Sequence, residues 1–138
     1  MKKVIVSTTI NPPTEAICRF DSMLDWDLVV IGDLKTPKDY ALKRGAYYSP
    51  KAQEKYDKEL SDAIGWNCIQ RRNFGLLFAR DMGAEVVAVV DDDNIPLEGW
   101  GEDLRIQAVH DSHEVAGGGR SLECGWVDQF RFALLRDQ

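Results

Sequence analysis

Asp91, Asp92, Asp93 and Asn94 stand in a row directly behind the apolar run Val86-Val87-Ala88-Val89-Val90. Ionised carboxylates only accept hydrogen bonds, and three side by side repel one another unless solvent, cationic side chains or a bound metal relieves the repulsion. A divalent cation is the simplest relief, and all-oxygen ligands favour Mg²⁺ or Mn²⁺ over zinc. The run reads as a buried strand that delivers the acids, and because side chains alternate faces along a strand, Asp91 and Asp93 are expected to point to one side and Asp92 to the other. Asp91 and Asp93 are therefore the expected metal ligands. The alternative is an acidic loop that closes a core strand in solvent.

Cations stand nearby in sequence. Arg71 and Arg72 open a helical pattern that leads into the acid-bearing run, and either guanidinium can grip diphosphate oxygens bidentately or pair with the aspartates. His110 and His113 flank Asp111, so one of them is a candidate base or further metal ligand, against the plainer reading of a histidine-bearing surface loop. Asp111, Glu114, Glu123 and Asp128 are further carboxylates that could serve as a general base, and spacing does not choose among them. Trp66, Trp100 and Trp126 are large aromatics that stack on a ligand or pack in a core. Gly117-Gly118-Gly119 lacks the Lys-Ser/Thr of a phosphate-binding loop and reads as a turn.

The elements that must position these residues alternate. A β-branched strand over residues 3–7 ends in Ser7-Thr8-Thr9, and a helix follows over residues 14–24. A second strand spans residues 26–31, and Gly32-Asp33-Leu34-Lys35 breaks it. Pro37, capped by Thr36, is expected to open a helix through Lys43 that Gly45 ends. Residues 51–60 read as a charged surface helix of low functional content. A helix over residues 67–82, stopped by Gly83, precedes the acid-bearing strand. This order predicts an α/β fold, a single open and mostly parallel sheet flanked by helices, with right-handed crossovers. All strand C-terminal ends then share one edge, where such sheets bind ligands, and Ser7, Thr8 and Thr9 are expected to line a ligand pocket there.

Length suits one domain over residues 1–138. A net charge of −6 argues against a general nucleic-acid binder, because nonspecific affinity grows with the phosphates that Lys and Arg neutralise. Cys18, Cys68 and Cys124 are odd in number and lack zinc spacing, which fits a reducing, cytoplasmic setting. The opening Met1-Lys2-Lys3 run collapses into Ser7-Thr8-Thr9, so neither a secretory signal nor a membrane span is expected.

Taken together, Ser7-Thr8-Thr9 with Asn11-Pro12-Pro13-Thr14, Val29-Val30-Ile31-Gly32-Asp33-Leu34-Lys35-Thr36-Pro37, Arg71-Arg72-Asn73-Phe74-Gly75 and Asp91-Asp92-Asp93-Asn94 resemble the glycosyltransferase-like STELLO family. The resemblance runs over about residues 3–95. It implies a GT-A type nucleotide-diphospho-sugar fold, whose acids hold Mn²⁺ or Mg²⁺ on the donor diphosphate. Asp33 resembles the family's base-recognising acid and suits a uracil ring N–H, which makes UDP the expected nucleotide. Lys35 lies beside it. Asp91 and Asp92 are expected to contact the metal-bound nucleotide. The resemblance stops short of an acceptor half, so the acceptor and the catalytic base stay unassigned, and a partner chain or second copy is expected to complete that side. Two other readings stand beside the transferase. One is a noncatalytic nucleotide-sugar-binding module. The other is a haloacid-dehalogenase-like phosphohydrolase with Asp91 as nucleophile and Asp93 as acid, although that motif usually lies on the first strand.

Overall fold

In a computed structural model the chain is described over residues 1–102, with the strand residues 131–132 in addition. The strands β1 (Lys3–Thr9), β2 (Asp27–Gly32), β3 (Ala46–Tyr48), β4 (Val86–Val89) and β5 (Arg131–Phe132) form one open sheet in the order β3-β2-β1-β4-β5. Every pairing is parallel. This is the α/β arrangement expected from the alternating strand and helix patterns. Among the described residues no helix is long and apolar enough to cross a membrane.

Alternation along the strands splits the core into two layers. Ile5, Leu28, Val30, Val86 and Ala88 face Ile17 and Phe20 of α1 (Glu15–Asp21), joined by Trp26 and Tyr40. Val4, Val6, Val29, Ile31 and Val87 face Phe74 and Phe78 of α4 (Arg72–Asp81). Both faces are covered, which is why the central residues of these strands are apolar in succession instead of alternating with polar residues. Helix α4 lies very close to the sheet at Gly75, where an added Cβ would come within 2.3 Å of Val6 Cγ1. Val6 is β-branched and fully buried, so it has little room to give. Gly75→Ala is therefore expected to lower stability by about 1–3 kcal/mol from overpacking, outweighing the helix-propensity gain of roughly 0.5–1 kcal/mol. An unchanged or raised urea midpoint would contradict this packing.

Three sequence expectations need correction. Residues 37–43 form no helix. The Thr36 hydroxyl does not cap one but donates to the Thr9 carbonyl at 2.6 Å and accepts the Asp33 N–H at 2.8 Å. The buried Asp21 carboxylate meanwhile takes the backbone N–H groups of Lys43 and Gly45, each at 2.6 Å, and of Arg44 at 3.1 Å. These long-range bonds satisfy the backbone without a helix and lead it into β3, a strand too short to announce itself. Residues 51–60 do not form one helix either. Asp57 ends α2 (Pro50–Tyr56) and caps α3 (Lys58–Ile64), accepting the Leu60 N–H at 2.9 Å. Finally, β4 stops at Val89, and the acids lie on a turn in which the Asp91 N–H donates to Asn94 Oδ1 at 3.1 Å and the Asn94 N–H to the Asp91 carbonyl at 3.2 Å. Strand alternation does not reach Asp91 and Asp93, so it cannot set the direction of their side chains.

Candidate active site

The C-terminal ends of β1, β2 and β4 meet at one edge, around a cavity of about 370 Å³. Its walls are Thr8–Asn11 at and beyond the end of β1, Ile31, Asp33 and Lys35 at and beyond the end of β2, Asn67, Cys68, Ile69 and Arg71 before α4, and Asp92 after β4.

Asp92 is fastened to the first wall. Its Oδ2 accepts the Thr9 hydroxyl at 2.6 Å and the Asn11 side-chain amide at 3.0 Å. Its backbone carbonyl accepts the hydroxyl of Thr14, which also caps α1 by accepting the Ile17 N–H at 3.2 Å. The helix start, the β1 loop and the acid turn are thus one hydrogen-bonded unit. Oδ1 of Asp92 has no hydrogen bond among the described residues.

Asp33 is 6% exposed, and among the described residues only its Oδ1 is hydrogen-bonded. Oδ1 accepts the N–H groups of Leu34 at 2.7 Å and Asn67 at 3.0 Å. Oδ1 thereby holds the turn after β2 to the segment before α4, and Asp33 also lines the cavity. Asn67 adopts the left-handed conformation (φ 57°), which an Asn tolerates better than most residues and which presents its N–H to Asp33.

Arg71 forms the floor and is 1% exposed. Its Nε and Nη2 donate to Gln53 Oε1 at 3.1 and 2.7 Å. Nη1 donates to the Ser61 hydroxyl at 3.0 Å, the Ser61 carbonyl at 3.1 Å and the Gly65 carbonyl at 3.2 Å. The Trp66 ring stacks on the guanidinium, with 3.6 Å between its carbon and the ring centroid. Burial pulls the guanidinium below its ordinary pKa, and the nearby Asp33 charge opposes that pull. None of the ion pairs among the described residues includes Arg71. It does not pair with the aspartate cluster, the alternative raised from sequence. Among the described residues, its hydrogen-bond partners are all neutral acceptors.

Of the other expected site residues, Thr8 and Lys35 line the cavity, Lys35 from an exposed position at the rim. Ser7 is fully buried and donates to the Thr8 carbonyl at 3.3 Å; it is not on the wall. Arg72 is half-buried, Asp91 and Asp93 are exposed, and none of the three lines the cavity. Trp66 supports Arg71, and Trp100 packs on Phe20 and Trp26. His110, Asp111, His113, Glu114, the 117–119 glycines, Glu123, Cys124, Trp126 and Asp128 lie outside the described residues.

Sequence reading missed Asn11, Asn67, Gln53 and Ser61. Asn11 had a signal, an amide just past a strand end. Gln53 and Ser61 had almost none, because they lie in a stretch whose charge reads as solvated surface. A second cavity, about 450 Å³, opens beside the end of α1 between Trp26, Trp100 and residues 96–102.

No protein-family profile matches the chain. Over 98 residues, 71% of this chain, it is 31% identical to the probable glycosyltransferases STELLO1 and STELLO2 of Arabidopsis thaliana. The likeness is to STELLO proteins. It covers 13% of the length of each, so the chain corresponds to a small part of either STELLO protein.

Metal fit follows from the donor set. Among the described residues no three His, Cys, Asp or Glu side chains converge as a ready-made metal cluster. Mg²⁺ seldom uses an all-protein cage, and commonly binds through one or two carboxylates together with substrate phosphate oxygens and water. Asp92 on the wall, with Asp91 and Asp93 on the same turn, fits a cation that arrives with a diphosphate.

Proposed function

We propose that this cavity binds the donor of a metal-dependent glycosyltransferase, a nucleoside-diphospho-sugar with UDP as the nucleotide. The observation that carries the reading is Arg71, a cation with no direct ion pair among the described residues, on the same cavity as Asp33 and Asp92. The STELLO likeness supports sugar transfer as the chemistry. In this reading Asp33 Oδ2 accepts a ring N–H of the base, Arg71 holds diphosphate oxygens, and Lys35 adds positive charge at the rim. Thr8 and Thr9 shape the nucleotide wall. The Asp91-Asp92-Asp93 turn supplies carboxylates for Mn²⁺ or Mg²⁺, with Asp92 presented to the cavity. Such a cation, when bound, stabilises the negative charge that develops on the leaving diphosphate. Acceptor choice and the catalytic base lie beyond these walls, in other parts of the protein or in a partner chain.

The test combines a panel of nucleotide sugars with Mn²⁺ and follows donor binding and donor hydrolysis together. UDP-sugar binding that is lost on chelating the metal, with slow hydrolysis, is the expected result. Metal-independent binding would remove the acid turn from this role, and binding without any turnover would favour a noncatalytic module. The phosphohydrolase reading has less support, since Asp91, its nucleophile, is exposed and off the cavity wall.

A further inference from the structure

Gln53 reaches the site without touching the cavity. It is fully buried in α2, and its side-chain amide is saturated. Nε2 donates to the Gly32 carbonyl at 2.9 Å, at the end of β2, and to the Tyr48 carbonyl at 3.0 Å, at the end of β3. Oε1 accepts both Nε and Nη2 of Arg71. One side chain thereby ties the ligand-binding edge of the sheet to the cation on the cavity floor. A carboxylate of the same shape would meet the two carbonyls with no proton to donate, and it would neutralise the arginine. An aliphatic side chain would leave the guanidinium unaimed and two carbonyls without their donor.

We infer that Gln53 is a positioning residue for anion recognition: its neutral amide fixes the Arg71 guanidinium against the sheet edge without adding a counter-charge that would compete with a diphosphate. This rests on the donor-binding reading above and assigns a second-tier group within it. The arrangement separates geometry from charge. Ser61, also fully buried, repeats the principle from α3, holding Nη1 through a hydroxyl and a carbonyl.

The test follows inorganic diphosphate and uridine separately by amide NMR titration with Mg²⁺ present throughout, in the parent, Gln53→Glu and Gln53→Met proteins, with melting curves to confirm folding. In Gln53→Glu, diphosphate affinity is expected to fall about tenfold or more, since an opposite charge is placed at hydrogen-bond distance from the cation. Uridine, which carries no charge, should keep its affinity. Gln53→Met should lose several-fold in diphosphate alone, and it carries the test by itself if the Gln53→Glu protein does not fold. Parent-like diphosphate affinity in a folded variant overturns the inference. So does an equal loss of diphosphate and uridine, which is what a merely structural role would give. A parent protein that ignores diphosphate overturns both this inference and the donor-binding reading, whereas a parent that binds it beside an unaffected Gln53→Glu overturns this inference alone.

Discussion

Arg71→Met is expected to destabilise the fold by about 3–5 kcal/mol and to abolish diphosphate binding. The stability loss comes from what the guanidinium leaves behind. Gln53 Oε1 and the Ser61 hydroxyl are buried and would lose the donor they share, at about 1–3 kcal/mol for each group left unsatisfied. Trp66 would lose its stacking partner as well. Arg71→Lys separates the two effects. It retains a charge but cannot donate twice to Gln53 while also reaching Ser61, so much of the stability loss should persist with part of the diphosphate affinity retained. Urea unfolding and diphosphate titration on both variants check this. A methionine variant within about 0.5 kcal/mol of the parent, the range of ordinary surface substitutions, would show that the network contributes little.

Asp33→Asn is expected to lower UDP affinity by about 10–100-fold while leaving inorganic diphosphate binding unchanged. Asparagine can still accept the Leu34 and Asn67 N–H groups through its oxygen, so the turn is preserved. What changes is the atom aimed at the base. An N–H₂ donor replaces the acceptor Oδ2 and confronts the uracil ring N–H, leaving two donors face to face. Cytosine carries an acceptor at that ring position, so CDP should lose less than UDP, and base preference should narrow or reverse. Parallel titrations of UDP, CDP and diphosphate decide it. An equal loss for all three would remove Asp33 from base recognition.

The parts legible in the sequence were those set by local pattern. Strands β1, β2 and β4 read correctly because β-branched residues buried on both faces make unmistakable apolar runs, and their parallel order placed Asp33 and the acid turn at one edge. The misread parts were decided by contacts between distant segments. The helix expected from Pro37 yields to Asp21, whose carboxylate draws in backbone N–H groups from 22 to 24 residues away. Asp92 lines the cavity because Thr9 and Asn11 hold it there across the sheet edge, and alternation along one strand carries no trace of that. Arg71 was recognisable as a candidate anion ligand. Its freedom from the aspartates was not, because that depends on how α2 and α3 pack beneath it.

The central claim is that a nucleoside diphosphate seats at the C-terminal sheet edge, and amide NMR during titration with UDP and Mg²⁺ tests it most directly. Saturable shifts are expected in residues 8–11, 33–35, 67–71 and 91–94, largely lost when Mg²⁺ is omitted. Shifts centred on Trp26 and Trp100 at the second cavity, or no saturable shifts at all, would contradict it.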